Sequence, residues 1–228
     1  MTRTRKRHWL RWILIGVAAL LVLLLAGIAA AIKLQPVPEP LALPAAAAAP
    51  SGPLDGTWQP GSGSVAGFRV EQTVIGLGTD VVGRTRDVTG SITIAGDTVT
   101  VGQLRINLLA LTTGTGGAKP APQFATSLDT QHFPDATATL AGPVPLADGF
   151  ASGATVGLRV AGQLTLHGLT RSVPVPLSLR RTGEQIAVVG TFPVAFADYG
   201  IAQPKGYGWL GSLADHGTAE FLLILHRT

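Results

Sequence analysis

Along much of the chain apolar residues recur at every second position, in short runs separated by Gly, Asp, Asn or Pro. Side chains of an extended strand alternate between two faces, so this period predicts half-buried β-strands. In residues 158–170, Leu158, Val160, Leu164 and Leu166 share one face, and Gly162 on the same parity leaves a gap where a backbone or ligand could come close. His167-Gly168-Leu169-Thr170 reads as a turn, and Val173, Val175, Leu177 and Leu179 then resume the alternation. Pro174 and Pro176 occupy the other parity; neither can donate a ladder hydrogen bond, which predicts an edge position or a bulge.

Other runs behave alike. Ser91-Ile92-Thr93-Ile94 passes through Ala95-Gly96-Asp97 into Thr98-Val99-Thr100-Val101, a hairpin pattern. Leu104 to Leu108 alternates cleanly, and two more strands fall at Ile186–Phe196 and Glu220–His226. Helical periodicity is nearly absent. About seven to nine short strands with regular turns predict an antiparallel sandwich or barrel. Residues 112–127 break the pattern with Gly and Pro, predicting a long loop with one helical turn near Pro122 to Ser127.

The N-terminus obeys a different rule. Ile13 to Ile32 runs without a charge, and twenty helical residues at ~1.5 Å each span ~30 Å, the thickness of a bilayer core. Arg3, Arg5, Lys6, Arg7 and Arg11 precede it, with Trp9 and Trp12 at headgroup level. The expectation is a basic cytoplasmic tail (1–12), a transmembrane helix (13–32), and everything after it outside the cell membrane. A cleaved signal peptide ending near Ala29-Ala30-Ala31 is the competing reading. Residues 33–53 hold Pro36, Pro38, Pro40, Pro44, Pro50 and Pro53 with the run Ala45–Ala49, which predicts a spacer of up to ~65 Å. A single barrel domain, 54–228, follows.

Charge matters only when divided by region. The formal net charge of +4 suggests a nucleic-acid partner, but five of the 17 Lys and Arg residues lie in the tail and Lys33 in the spacer. From Leu54 onward, 17 − 6 leaves 11 basic and 13 − 1 leaves 12 acidic residues, a net of −1. The basicity is a topology signal, and no nucleic-acid partner is expected. The chain has no cysteine, which excludes disulfides, thiol catalysis and cysteine-held zinc.

Candidate chemistry is sparse. His132, His167, His216 and His226 form no close ligand pair, so no metal is expected. Ser64, His167 and Asp198 could be drawn as a triad, but no G-x-S-x-G elbow presents a nucleophile; Gly61-Ser62-Gly63-Ser64 reads as a flexible lead-in to a strand. Gly76-x-Gly78 is followed by Thr79-Asp80-Val81 rather than a helix, so it is no phosphate loop. Catalysis is not expected. What remains is the inward face of the strands: Phe68, Val70, Ile92, Ile94, Leu104, Ile106, Leu108, Leu158, Val160, Leu164, Leu166, Phe192, Val194, Phe221 and Leu223. On alternation alone, a filled core and a cavity for one ligand are equally compatible with eight strands.

Several motifs add a resemblance. Gly162-Gln163-Leu164-Thr165-Leu166-His167-Gly168-Leu169-Thr170-Arg171, Phe68-Arg69-Val70-Glu71 with the later Gly90-Ser91-Ile92, Leu128-Asp129 through Phe133-Pro134-Asp135-Ala136, and Phe196 to Ile201 resemble, in order, segments of the YceI-like, or polyisoprenoid-binding, proteins. Phe68 and Ile92 look like that family's first hairpin. Gln72 is a departure, since many relatives carry His there. The resemblance implies an all-β, antiparallel, lipocalin-like barrel of about eight strands with a short helix or loop at its mouth. It also implies an apolar tunnel for an isoprenoid or other long-chain lipid, lined by Phe68, Val70, Ile92, Ile94, Leu104, Ile106, Leu158, Val160, Leu164, Leu166, Phe192, Val194 and Phe221. Beyond such a lipid no cofactor is expected. Relatives are often dimeric, although no residue here establishes a homodimer. The alternative is an envelope stress or interaction protein with a filled barrel.

Overall fold

A computed structural model describes residues 6–34, 37–113, 122–204, 206, 208 and 211–228. Helix α1 (Lys6–Lys33) contains the apolar run. The strands are β1 (Gly56–Pro60), β2 (Val65–Val74), β3 (Leu77–Thr85), β4 (Val88–Ala95), β5 (Thr98–Asn107), β6 (Thr112–Thr113), β7 (Asp135–Leu140), β8 (Val144–Pro145), β9 (Val156–Leu166), β10 (Leu169–Thr182), β11 (Gln185–Ala195), β12 (Gly211–Leu213) and β13 (His216–Arg227). Helix α2 (Pro122–Ser127) lies where one turn was expected, although Gly114–Ala121 before it fall outside the described residues.

Eight antiparallel strands close a ring in the order β1-β4-β5-β7-β9-β10-β11-β13, with β13 returning to β1. Strands β1 and β2 are two halves of one stave along β13: Trp58 faces Arg227 and Phe68 faces Ala219. Ser64 sits at the bend between them. Its hydroxyl accepts from Ile224 N–H at 3.0 Å and donates to Ile224 O at 3.3 Å, so it staples the bend to β13. The register places the turns Ile75–Gly76 and His167–Gly168 at one end, here the upper, and the turns Gly96–Asp97 and Gly183–Glu184 at the lower.

The structure revises two expectations and decides a third between its alternatives. Phe68 and Ile92 do not belong to one hairpin: β3 lies between them in sequence, and β2 pairs with β3 through Val74 and Leu77. Pro174 and Pro176 lie on β10 with no bulge in its pairing to β9; β11 joins β10 only from Leu177 onward, so both prolines fall on a locally free edge. The missing N–H groups therefore cost no ladder bond on that side.

The second revision concerns the spacer. Residues 37–53 form no helix or strand, yet they are not detached. Arg69 Nη2 donates to Pro38 O at 2.8 Å, and Arg84 Nη2 to Glu39 O. Arg180 Nη2 reaches Pro44 O. Thr182 Oγ1 accepts from the N–H groups of Ala47 and Ala48. Arg181 Nη2 donates to Ser51 O at 2.7 Å and to Gly52 O. Proline-rich chain has unpaired carbonyls along its length, and guanidinium donors satisfy them. The segment is a strap that starts by β2 and β3 and ends at the lower turn of β10. Ala187, on the outward parity of β11, is 1% exposed, as a residue covered from outside must be.

Candidate functional site

Inside the ring lies one apolar cavity of about 290 Å³. All thirteen side chains expected to face inward as a ligand lining, Phe68, Val70, Ile92, Ile94, Leu104, Ile106, Leu158, Val160, Leu164, Leu166, Phe192, Val194 and Phe221, border it. Leu108 and Leu223 do as well. The period-two pattern of β4, β5, β9, β11 and β13 brings them there, because closing the ring turns one face of every strand inward. Gly162, on the same parity of β9, also borders the space and is the gap its sequence position suggested.

The two ends differ. At the lower end Ile94, Phe150, Ile186 and Leu225 border the cavity and are all but fully buried, with Trp58 packed among them. Trp58 Nε1 donates to Leu54 O at 2.9 Å, which satisfies the one polar atom of this plug. At the upper end Phe68, Leu128, Leu166 and Phe196 border it and stay partly exposed. Phe124 of α2 lies over Phe68 with ring centroids 5.2 Å apart. The upper end is therefore the mouth, with α2 as a partial roof.

Sequence reasoning missed part of the wall. Val173, Val175, Leu177 and Leu179 of β10 belong to it; their alternation was visible, and only the mate of a recognised hairpin was needed to include them. Phe124 comes from the six-residue helix α2, and Phe150 and Ile201 from irregular segments, none of which carries a period long enough to flag them.

Charge is kept out of the space. Glu220 borders it, but its carboxylate is held by Arg84 Nε at 2.7 Å and Arg69 Nη2 at 3.6 Å, and its side chain is 2% exposed. Arg69 also meets Asp80 at 3.0 Å. Gln72 Oε1, on the parity of Phe68 and Val70 but outside the residues that border the cavity, is buried without a hydrogen-bond partner among the described residues. The Tyr199 hydroxyl is likewise buried without one. Burial first, then the Asp198 carboxylate, push the Tyr199 phenol above its ordinary range, and Arg171 opposes them.

Three of the domain's histidines, His132, His167 and His216, have partners within the fold. His167 and Gly168 have φ of 52° and 73°, the left-handed pair that a two-residue hairpin turn requires. His167 Nδ1 lies 3.1 Å from Tyr199 O, and its ring meets Phe133 at 4.6 Å. Ser64 is engaged with Ile224, so the serine and histidine of the drawn triad serve different backbone partners. His132 pairs with Asp129 and His216 with Asp215. The hydrogen bond from His216 holds the Asp215 carboxyl below its usual range. Among the described residues no three His, Asp or Glu side chains gather to hold a metal.

Helix α1 carries one segment, Trp12–Ala31, long and apolar enough to cross a membrane, and none of it is buried against the barrel.

A family model for the YceI-like domain matches residues 58–222. Among solved structures, the chain is similar to a polyisoprenoid binding domain from Saccharophagus degradans implicated in plant cell wall breakdown. The two share 18% identity over 76% of this chain and 99% of that one, with a TM-score of 0.59. It is also similar to BcnA of Burkholderia cenocepacia, at 16% identity over 70% of this chain and 95% of that one, with a TM-score of 0.50. At such identities the likeness is one of fold. No curated protein matches the sequence.

Proposed function

The chain belongs to the YceI-like family, and from that premise we propose that it is a membrane-tethered, extracytoplasmic lipid-binding protein. Its barrel sequesters or carries a polyisoprenoid or another long-chain lipid, and its role is not catalytic. The observation that carries the reading is the 290 Å³ space walled by aliphatic and aromatic side chains. A filled core would leave few voids larger than a water molecule. Apolar walls without polar partners do not hold water, so the natural occupant is hydrocarbon.

Magnitudes narrow the ligand. A cavity of ~150 Å³ accommodates one benzene. The present 290 Å³ is roughly twice that, room for on the order of a dozen carbons. At ~0.8 kcal/mol per methylene these yield about 10 kcal/mol, against an association cost of ~4–15 kcal/mol. A longer chain that continues past Phe68 and Phe124 into the mouth gains what a short one lacks.

The tether is read from α1, with the basic residues before it favouring a cytoplasmic N-terminus. Under this reading residues 13–32 span the membrane and 54–228 form the exported barrel.

The test is organic extraction of the protein purified from its native membrane, followed by mass spectrometry. A long-chain isoprenoid or acyl lipid should be recovered, and adding it back should raise the melting temperature. Absence of extractable lipid, with no stabilisation by any long-chain isoprenoid or fatty acid, refutes the binding reading. A soluble mature form beginning near Ile32 refutes the tether.

A further inference from the structure

The β2–β3 hairpin ends in Val74-Ile75-Gly76-Leu77, an apolar tip at the mouth end of the barrel. Ile75 has φ of 51° and is 47% exposed. A two-residue hairpin turn with left-handed φ at both positions favours Asn, Asp or Gly at the first. A β-branched residue is strained there, and an exposed one recovers nothing from packing to offset the strain. Water gives no reason for an isoleucine at this place.

The chain's own path supplies a reason. Lys33, the last residue of α1, and Val37 lie beside Glu71, Gln72, Thr73, Gly78, Thr79 and Asp80, the two arms of this same hairpin. Pro38 is then fixed by Arg69 on β2 and Glu39 by Arg84 on β3. From Lys33 to Pro38 an extended chain covers at most ~18 Å at ~3.3–3.6 Å per residue. The strap therefore ties the hairpin, and not the lower end of the barrel, to the membrane exit of the helix.

We propose that the tip Val74–Leu77 is a membrane-contact element: Ile75 sits in the interfacial layer of the bilayer that α1 crosses, and the barrel mouth faces that bilayer. This rests on the tether reading of α1. Glu71 and Asp80 flank the tip, so the contact is apolar rather than an attraction to anionic lipid. The geometry deepens the proposed function, because a lipid would pass between membrane and cavity without crossing open water.

The absence of cysteine makes the test clean. Ile75→Cys in the full chain, labelled with an environment-sensitive fluorophore, is reconstituted into phosphatidylcholine vesicles. Glu184→Cys, at the exposed lower turn, is labelled in parallel. The label at 75 should show blue-shifted emission, quenching by nitroxide-bearing lipid and protection from aqueous iodide; the label at 184 should show none of these. Thr73→Cys keeps Ile75 in place and should agree with the label at 75. Co-flotation with vesicles, scored on the same samples, reports the anchor separately. Flotation with labels at 73 and 75 open to iodide overturns the hairpin contact and leaves the tether standing. Failure to float overturns both.

Discussion

Gly162→Leu separates an open barrel from a filled one by the sign of its effect. Gly162 lies on β9 between Val160 and Leu164, faces inward and borders the cavity. A Cβ built there meets Thr139 O at 3.5 Å, Val175 Cγ2 at 3.7 Å and Val173 O at 3.8 Å, all at ordinary van der Waals distance. Its φ is not left-handed, so a side chain brings no backbone strain. In an open barrel the four leucine carbons enter the void. Burying them yields ~1.5–3 kcal/mol, and relief of glycine's flexibility in a strand adds ~0.5–1 kcal/mol. Discounting for imperfect packing, a net of ~2 kcal/mol raises the melting temperature by about 4–8 °C for a domain of this size. The lipid loses the space of about four methylenes, ~3 kcal/mol, or on the order of 200-fold in Kd. Melting curves of delipidated protein and titration with a long-chain isoprenoid read the two effects. If the melting temperature falls by the equivalent of ~1–3 kcal/mol, as overpacking demands, the interior is full and the cavity argument is wrong.

Three further outcomes are expected. Glu220→Ala leaves the largely buried Arg69 and Arg84 without their shared carboxylate and should cost ~3–5 kcal/mol in chemical denaturation; a loss under 1 kcal/mol would show that the cluster is solvated. Tyr199→Phe removes a buried hydroxyl without a partner and should leave stability unchanged or raise it by ~1 kcal/mol. Because the folded-state phenol titrates above its unfolded value near 10, wild-type stability is complete below that pH and declines above it, and the Phe variant should lack this component in melts across alkaline pH. A chain beginning at Leu54 should fold into the same barrel but melt below one beginning at Val37, because Arg181 and Thr182 lose their strap partners; equal melting temperatures would mean that the strap contributes nothing.

What the sequence made legible followed from local rules. The β4–β5 and β9–β10 hairpins show clean alternation on both arms with Gly at the turn, and α2 occupies the expected span Pro122–Ser127. Strand β3 escaped notice because Asp80, Gly83 and Arg84 interrupt any apolar period; Asp80 and Arg84 face charged partners instead. Strand β7, Asp135-Ala-Thr-Ala-Thr-Leu140, alternates only in small residues, whose burial is too slight to register. The wall of the cavity was readable because strand parity fixes it, whereas its plug and roof, Phe150 and Phe124, depend on how irregular segments return to the barrel. The strap was opaque for a related reason. Its composition is that of a spacer, and its binding groups lie between 31 and 136 residues away along the chain.

The strap also bears on mechanics. Strand β1, the lower half of its stave, is the shortest strand of the ring and is joined to β13 and to β4 by three residue pairs each. Were the helix linked directly to Gly56, any tug from a moving membrane would peel that stave away one pair at a time. With α1 anchored as proposed, force from the helix would instead meet the guanidinium clamps at Pro38, Glu39, Pro44 and Ser51, spread along the barrel wall, before it reached β1. Under the proposed tether the arrangement is a strain relief of the kind fitted where a cable meets its housing: load reaches the strap before the seam that keeps the barrel shut.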